Sequence, residues 1–232
     1  MRGLNRFAVA VLVLGVASVA SAQDASVKVA EGGIKIAGWT GKVDASEATR
    51  GNTIDNAKLV TMGSGMHVTT GPSVAYWNPA NTASGDYTVK ATFAEREYMA
   101  LNNHPHPYGV FIGGSDMGTD TQSYLYCMAY GSGTFIVRGF GADTTFRLNG
   151  NRPEAHAAIN KAAGKGQPVT QEIALSVKGD KIECAVNGYV VGSYDKSAAI
   201  GPRRLKSTDG VYGIRFGHNT DAHVSGFTMT KP

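Results

Sequence analysis

An Asn-Gly pair set between two runs of alternating apolar and polar side chains leaves a chain few ways to fold. Before Asn187-Gly188 lie residues 181–186, where Ile182, Cys184 and Val186 share one face, and after it lie residues 189–194. A two-residue type I′ turn needs positive φ at both central positions, which Asn and Gly tolerate, so this stretch reads as a β-hairpin. The same period of two recurs upstream. Tyr87, Val89, Ala91 and Phe93 alternate with Thr88, Lys90, Thr92 and Ala94, the pattern of a half-buried strand. Residues 108–112, 123–130, 134–139, 173–177, 211–216 and 224–229 read as further strands, and 58–62, 66–70 and 73–77 as shorter ones. Gly113-Gly114, Gly131-Ser132-Gly133 and Gly179-Asp180 supply turns between them. Roughly a dozen strands so spaced predict an all-β chain, a two-sheet antiparallel sandwich, with a lipocalin-like barrel as the competing closure. Residues 154–163 are the one stretch expected to form a short surface helix.

The N-terminus has a different composition. Arg2 and Arg6 flank the start of an apolar run over residues 7–17, and small residues over 18–22 end in Ala20-Ser21-Ala22. That layout is a secretory signal peptide, expected over residues 1–22. A retained anchor is the other reading, for which the apolar run is short. Cleavage leaves residues 23–232 as a single β-sandwich domain, periplasmic or secreted, with no membrane span. The net charge of +4 falls to +2 without the two arginines. No Lys/Arg cluster is dense enough to grip nucleic acid. Export permits Cys127 and Cys184 to pair. Each falls mid-strand, so a disulfide and two buried thiols are both open.

Three patterns bear on chemistry. In Asn102-Asn-His-Pro-His-Pro-Tyr108, two prolines fix an extended chain and hold His104 and His106 two residues apart on one side. Such a pair can ligate a metal or stack on a sugar, and a rigid polar loop is the plainer alternative. A third ligand has to come from elsewhere: Asp116, His218 and His223 are the candidates. On residues 123–130, Tyr124, Tyr126, Met128 and Tyr130 share one face, while Leu125, Cys127 and Ala129 face the core. With Arg138 on the neighbouring strand, that face is expected to form a ligand groove, or simply a tyrosine cover on the sandwich. Glu95 and Glu97 have the i, i+2 spacing of a carboxylate pair, or are a hydrophilic strand end. No Gly-x-Ser-x-Gly elbow occurs, and the glycine runs lack a following helix to bind phosphate.

Gly85-Asp-Tyr-Thr-Val-Lys-Ala-Thr-Phe93, Tyr108-Gly-Val-Phe-Ile-Gly-Gly114, Ile182-Glu-Cys-Ala-Val-Asn-Gly188 and Asp209-Gly-Val-Tyr-Gly-Ile-Arg-Phe216 together resemble the concanavalin A-like lectin/glucanase superfamily. Within it they are closest to laminin-G-like and 3-keto-disaccharide hydrolase domains. The resemblance covers residues 85–229 and implies a jelly roll whose concave sheet binds glycans or another surface protein. In some relatives a loop holds Ca²⁺; no cofactor is otherwise implied. The Glu-x-Asp-x-x-Glu strand of family 16 glucanases is absent, as is the Asn-Gly-Lys-Asp-Leu-x-x-Trp opening of the 3-keto-disaccharide hydrolases. The expectation is therefore a non-catalytic domain binding a glycan or small saccharide through Tyr124, Tyr126, Arg138, His104, His106, Tyr108 and Asp116. A glycoside hydrolase or lyase of the 3-keto-disaccharide type is the alternative.

Overall fold

The computed structural model describes residues 25–141 and 144–232; the leader expected over residues 1–22 lies outside them. Alternation becomes burial directly. From Tyr87 to Glu95 every odd-numbered residue is buried and every even-numbered one half-buried, as a strand with one face on a core must be.

Strands among the described residues are numbered β1 to β16 in chain order. The first sheet runs β1 (Gly33–Ile34), β3 (Ala57–Met62), β4 (Gly65–Thr70), β16 (Asp221–Thr230), β6 (Tyr87–Glu95), β12 (Val169–Lys178), β13 (Lys181–Val186), β14 (Tyr189–Asp195). The second runs β10 (Thr144–Arg147), β9 (Thr134–Gly141), β8 (Ser123–Tyr130), β7 (Tyr108–Ser115), β15 (Gly210–Phe216), β5 (Val74–Ala83), β2 (Thr40–Val43), with β11 (Glu154–Ala155) also on β9. Pairing is antiparallel except for the two-residue β1 beside β3. The last two strands return to the middle of each sheet, β15 between β5 and β7 and β16 between β4 and β6. This is a jelly-roll sandwich.

Leu59, Val68, Val89, Phe93, Ile173, Leu175 and Val177 from the first sheet meet Tyr76, Val110, Ile112, Leu125, Val137, Ile214 and Phe216 from the second in one core. Each such side chain contributes about 1.5–3 kcal/mol by burial. Cys127 of β8 and Cys184 of β13 are bonded across that core, 57 residues apart in sequence, so the disulfide staples one sheet to the other. At the hairpin, Asn187 and Gly188 have φ of 52° and 84°, both positive as a type I′ turn requires.

Residues 154–163 form no helix. Glu154 and Ala155 pair with Phe135 and Thr134 of β9, and turns follow to Asn160; the edge of the second sheet takes the segment that local propensity offered to a helix. Among the described residues the helices are single turns elsewhere, α1 (Ala45–Ala48), α2 (Lys196–Ala199) and a 3₁₀ turn at Ile54–Asn56. No helix among the described residues is long and apolar enough to cross a membrane.

Candidate functional site

Parity on β8 holds, but the tyrosine face is not a surface. Leu125, Cys127 and Ala129 point into the main core. On the opposite face Tyr124 and Tyr126 are buried with Trp77, Phe111, Met128 and Ile136, and Phe140, Met117 and Tyr130 pack around them. The expected exposed platform is thus a second apolar layer on the outer side of the second sheet. Aromatic side chains are large enough to build such a layer from one face.

At its centre lies a charge that sequence reading did not single out. Arg215 of β15 is 5% exposed. Its guanidinium grips the Asp44 carboxylate with both terminal nitrogens, at 2.8 and 2.6 Å, and donates to the Tyr124 hydroxyl at 2.6 Å. It also sits 4.8 Å from the Tyr126 ring centre and 4.9 Å from that of Phe140, within cation–π range. Bidentate pairing suits a planar guanidinium. The signal in the sequence was Arg215 between Ile214 and Phe216, whose side chains enter the core and so send the arginine to the other face.

Beside this network opens a pocket of about 300 Å³ lined by Lys42, Asp44, Thr119, Asp120, Gln122, Phe140, Thr144 and Thr145. The loop after β7 closes one wall: Lys42 Nζ reaches Asp120 at 2.9 Å, and the Gly118 amide donates to Gln122 Oε1 at 3.1 Å. Lys42 holds the Asp120 carboxyl below the ordinary carboxylate range. Arg138, paired with Tyr126 across β9 and β8, is tied to the Asn151 carbonyl at 3.3 Å and does not line the pocket.

The remaining residues separate. Tyr108 is wholly buried, stacked on Phe93 at 5.3 Å; it anchors β7 in the core and is not a binding-surface residue. Asp116 is engaged by Lys206 at 2.7 Å, which lowers its pKa, and it joins no histidine. Glu95 points inward and is 4% exposed, whereas Glu97 lies past the strand end in solvent, so no carboxylate pair forms. Burial pushes Glu95 up to about 7, opposed by the Met99 N–H and the adjacent Tyr108 hydroxyl. His223 stacks edge-on with His67 at 4.8 Å, and His67 bonds Asp221 at 3.0 Å. Burial works against the charged Asp221, but hydrogen bonds from His67 and Thr69 outweigh it and hold the carboxyl low.

His104 and His106 meet His218. The candidate ligand atoms of all three lie within 4.8 Å of one another, and the Nε2 atoms of His106 and His218 are 2.8 Å apart. The register explains it: Tyr108 pairs with Phe216, so the residues two before and two after them are neighbours. His218 is 1% exposed. Three imidazole nitrogens do not suit Ca²⁺, which takes oxygen ligands.

No protein-family model and no curated protein matches this sequence. Solved structures do match its fold. Carbohydrate-binding module CBM66 from Bacillus subtilis superposes with a TM-score of 0.55 at 8% identity, over 85% of this chain and 98% of that one. A glycoside hydrolase family 16 endo-glucanase from Bacteroides ovatus gives 0.51 at 8% identity, over 80% and 92%. A protein of unknown function with a galectin-like fold from Bacillus subtilis gives 0.50 at 12% identity, over 83% and 89%. The fold of this chain is that of the concanavalin A-like jelly-roll sandwiches.

Proposed function

We propose that this chain is an exported, non-catalytic carbohydrate-binding domain that seats a small saccharide in the pocket beside Phe140. The observation that carries the reading is the pocket's make-up, hydrogen-bonding side chains set around one aromatic, with Ala45 and Gly141 completing the wall. A sugar offers hydroxyls that need paired donors and acceptors and C–H faces that pack on aromatic rings. Thr119, Asp120, Gln122, Thr144, Thr145 and Lys42 supply the first and Phe140 the second. About 300 Å³ sits at the lower end of ligand-pocket sizes, fitting a small saccharide. The fold is shared with a protein named as a carbohydrate-binding module, and the three-part start over residues 1–22 supports export to the periplasm or beyond.

The carboxyls favour binding over cleavage. Ordinary glycoside hydrolysis needs one carboxyl kept protonated and a second as nucleophile or base. In the pocket, both Asp44 oxygens are taken by Arg215, and Lys42 favours the ionised form of Asp120. Glu95, the carboxyl that burial pushes up to about 7, does not line the pocket.

The test is calorimetric titration and thermal melting of the chain against a saccharide panel. A bound sugar at 100 times its Kd adds about 2.7 kcal/mol of stability. The proposal expects a sugar-selective shift that disappears in Asp120→Ala and Gln122→Ala, whose own melting temperatures stay near the parent's. A shift unchanged in both variants refutes the pocket assignment; release of new reducing ends refutes the non-catalytic reading.

A further inference from the structure

We propose that His104, His106 and His218 form a binding site for a divalent transition-metal ion of the Zn²⁺ class. The site is independent of the saccharide pocket, sharing no residue with it.

Neutral imidazole nitrogen is a good ligand for Zn²⁺, Cu²⁺ and Ni²⁺. Nitrogens bound to Zn²⁺ at about 2.0–2.1 Å in a tetrahedron stand about 3.3 Å from one another. Here one pair is 2.8 Å apart and the whole set lies within 4.8 Å, so small side-chain rotations reach the coordinated geometry. Ring centres 4.5 Å apart for His104 and His106, and 3.8 Å for His106 and His218, bring three basic rings to one point. A bound ion replaces the His106–His218 hydrogen bond with bonds from the three imidazoles to the metal.

The fold also builds the cluster from two segments held in fixed relation. Pro105 and Pro107 stiffen the segment carrying His104 and His106. The segment carrying His218 is fastened to it twice: the Gly217 amide donates to the Pro107 carbonyl at 2.7 Å, and Asn102 Nδ2 donates to the Asn219 carbonyl at 2.8 Å. Behind His218, the Thr70 hydroxyl donates to the Gly217 carbonyl at 2.8 Å and the Asn219 amide to the Gly71 carbonyl at 3.0 Å. Position 217 requires glycine. A Cβ there would stand 2.8 Å from Pro107 Cδ and 3.1 Å from His106 Cβ, forcing the two segments apart. Ligands held on pre-fixed backbone are what a metal site needs.

The experiment uses untagged chain stripped with EDTA, titrated with Zn²⁺ by calorimetry and with Co²⁺ by visible absorption. The expected result is one ion per chain, a higher melting temperature with Zn²⁺, and the absorption of Co²⁺ in a low-symmetry nitrogen site. His104→Ala, at a half-buried position, should keep the EDTA-state melting temperature and lose more than about 10-fold in affinity, the least that even supporting residues of metal sites cost. His218→Gln should do the same. His223→Ala, in the separate His67–Asp221 cluster, should bind as the parent does. No stoichiometric binding, or binding that survives both His104→Ala and His218→Gln, overturns the proposal, as does loss on His223→Ala alone.

Discussion

Replacing Asp44 by alanine puts the Arg215 network to a quantitative test. The arginine side chain is 6% exposed and that of Asp44 16%, so the pair is close to fully desolvated at one end and touches water at the other. Removing one member of such a pair strands the other charge in a poorly solvating place, at a cost of about 3–5 kcal/mol. Arg215 would keep its hydrogen bond to Tyr124 and its contacts with the Tyr124, Tyr126 and Phe140 rings, which places the expected loss near about 3 kcal/mol. Adding Arg215→Met removes the stranded charge and leaves a flexible apolar chain among aromatics, an exchange that is often close to neutral. The double variant should therefore be more stable than Asp44→Ala alone, with a coupling of about 2 kcal/mol. Urea unfolding followed by fluorescence measures all four corners of the cycle, provided the m value is constant. If Asp44→Ala falls within about 0.5 kcal/mol of the parent, the range of ordinary surface changes, the pair is not the desolvated unit described above.

Two further outcomes are expected. Closing a loop between Cys127 and Cys184, 57 residues apart, removes unfolded-state entropy worth roughly 4 kcal/mol, so Cys127→Ala with Cys184→Ala should lower the unfolding free energy extrapolated to water by about that amount, with a larger m because the unlinked chain unfolds to a more expanded state. Burial lifts Glu95 from 4.5 to about 7; with the folded pKa above the unfolded one, the folded state holds an extra proton between those values. Its contribution to stability therefore falls as pH rises from about 4.5 to about 7 and then levels, up to about 3 kcal/mol for the full shift. Glu95→Gln should be more stable than the parent at pH 8 by up to that amount and equal to it near pH 4; identical pH profiles for the two proteins would falsify the assignment.

What could be read in the sequence was local. The period of two gave the core face of β6 and β8, and Asn187-Gly188 gave its hairpin, because both depend on backbone geometry over a few residues. What lies on the far face of β8 did not follow. Tyr124 and Tyr126 are covered by Phe140 and Arg215 from β9 and β15, and period alone cannot distinguish a face turned to water from one turned to a second apolar layer. Among the candidate partners for His104 and His106, only strand register could choose. Pairing of Tyr108 with Phe216 brings in His218, while Asp116 goes to Lys206 and His223 to His67. The pocket was the least legible part, since Lys42, Asp120 and Thr145 come from a short strand, a loop and an edge strand with no common pattern.

Mapping a bound saccharide by amide chemical-shift perturbation tests the central claim most directly. The largest shifts are expected to cluster on Lys42, Asp44, Thr119 to Gln122, Phe140, Gly141, Thr144 and Thr145, the residues and loop that line the pocket, and to saturate with one site. Shifts centred elsewhere, such as the groove between Trp39, Gly65 and Phe227, or none with any sugar of the panel, would contradict it.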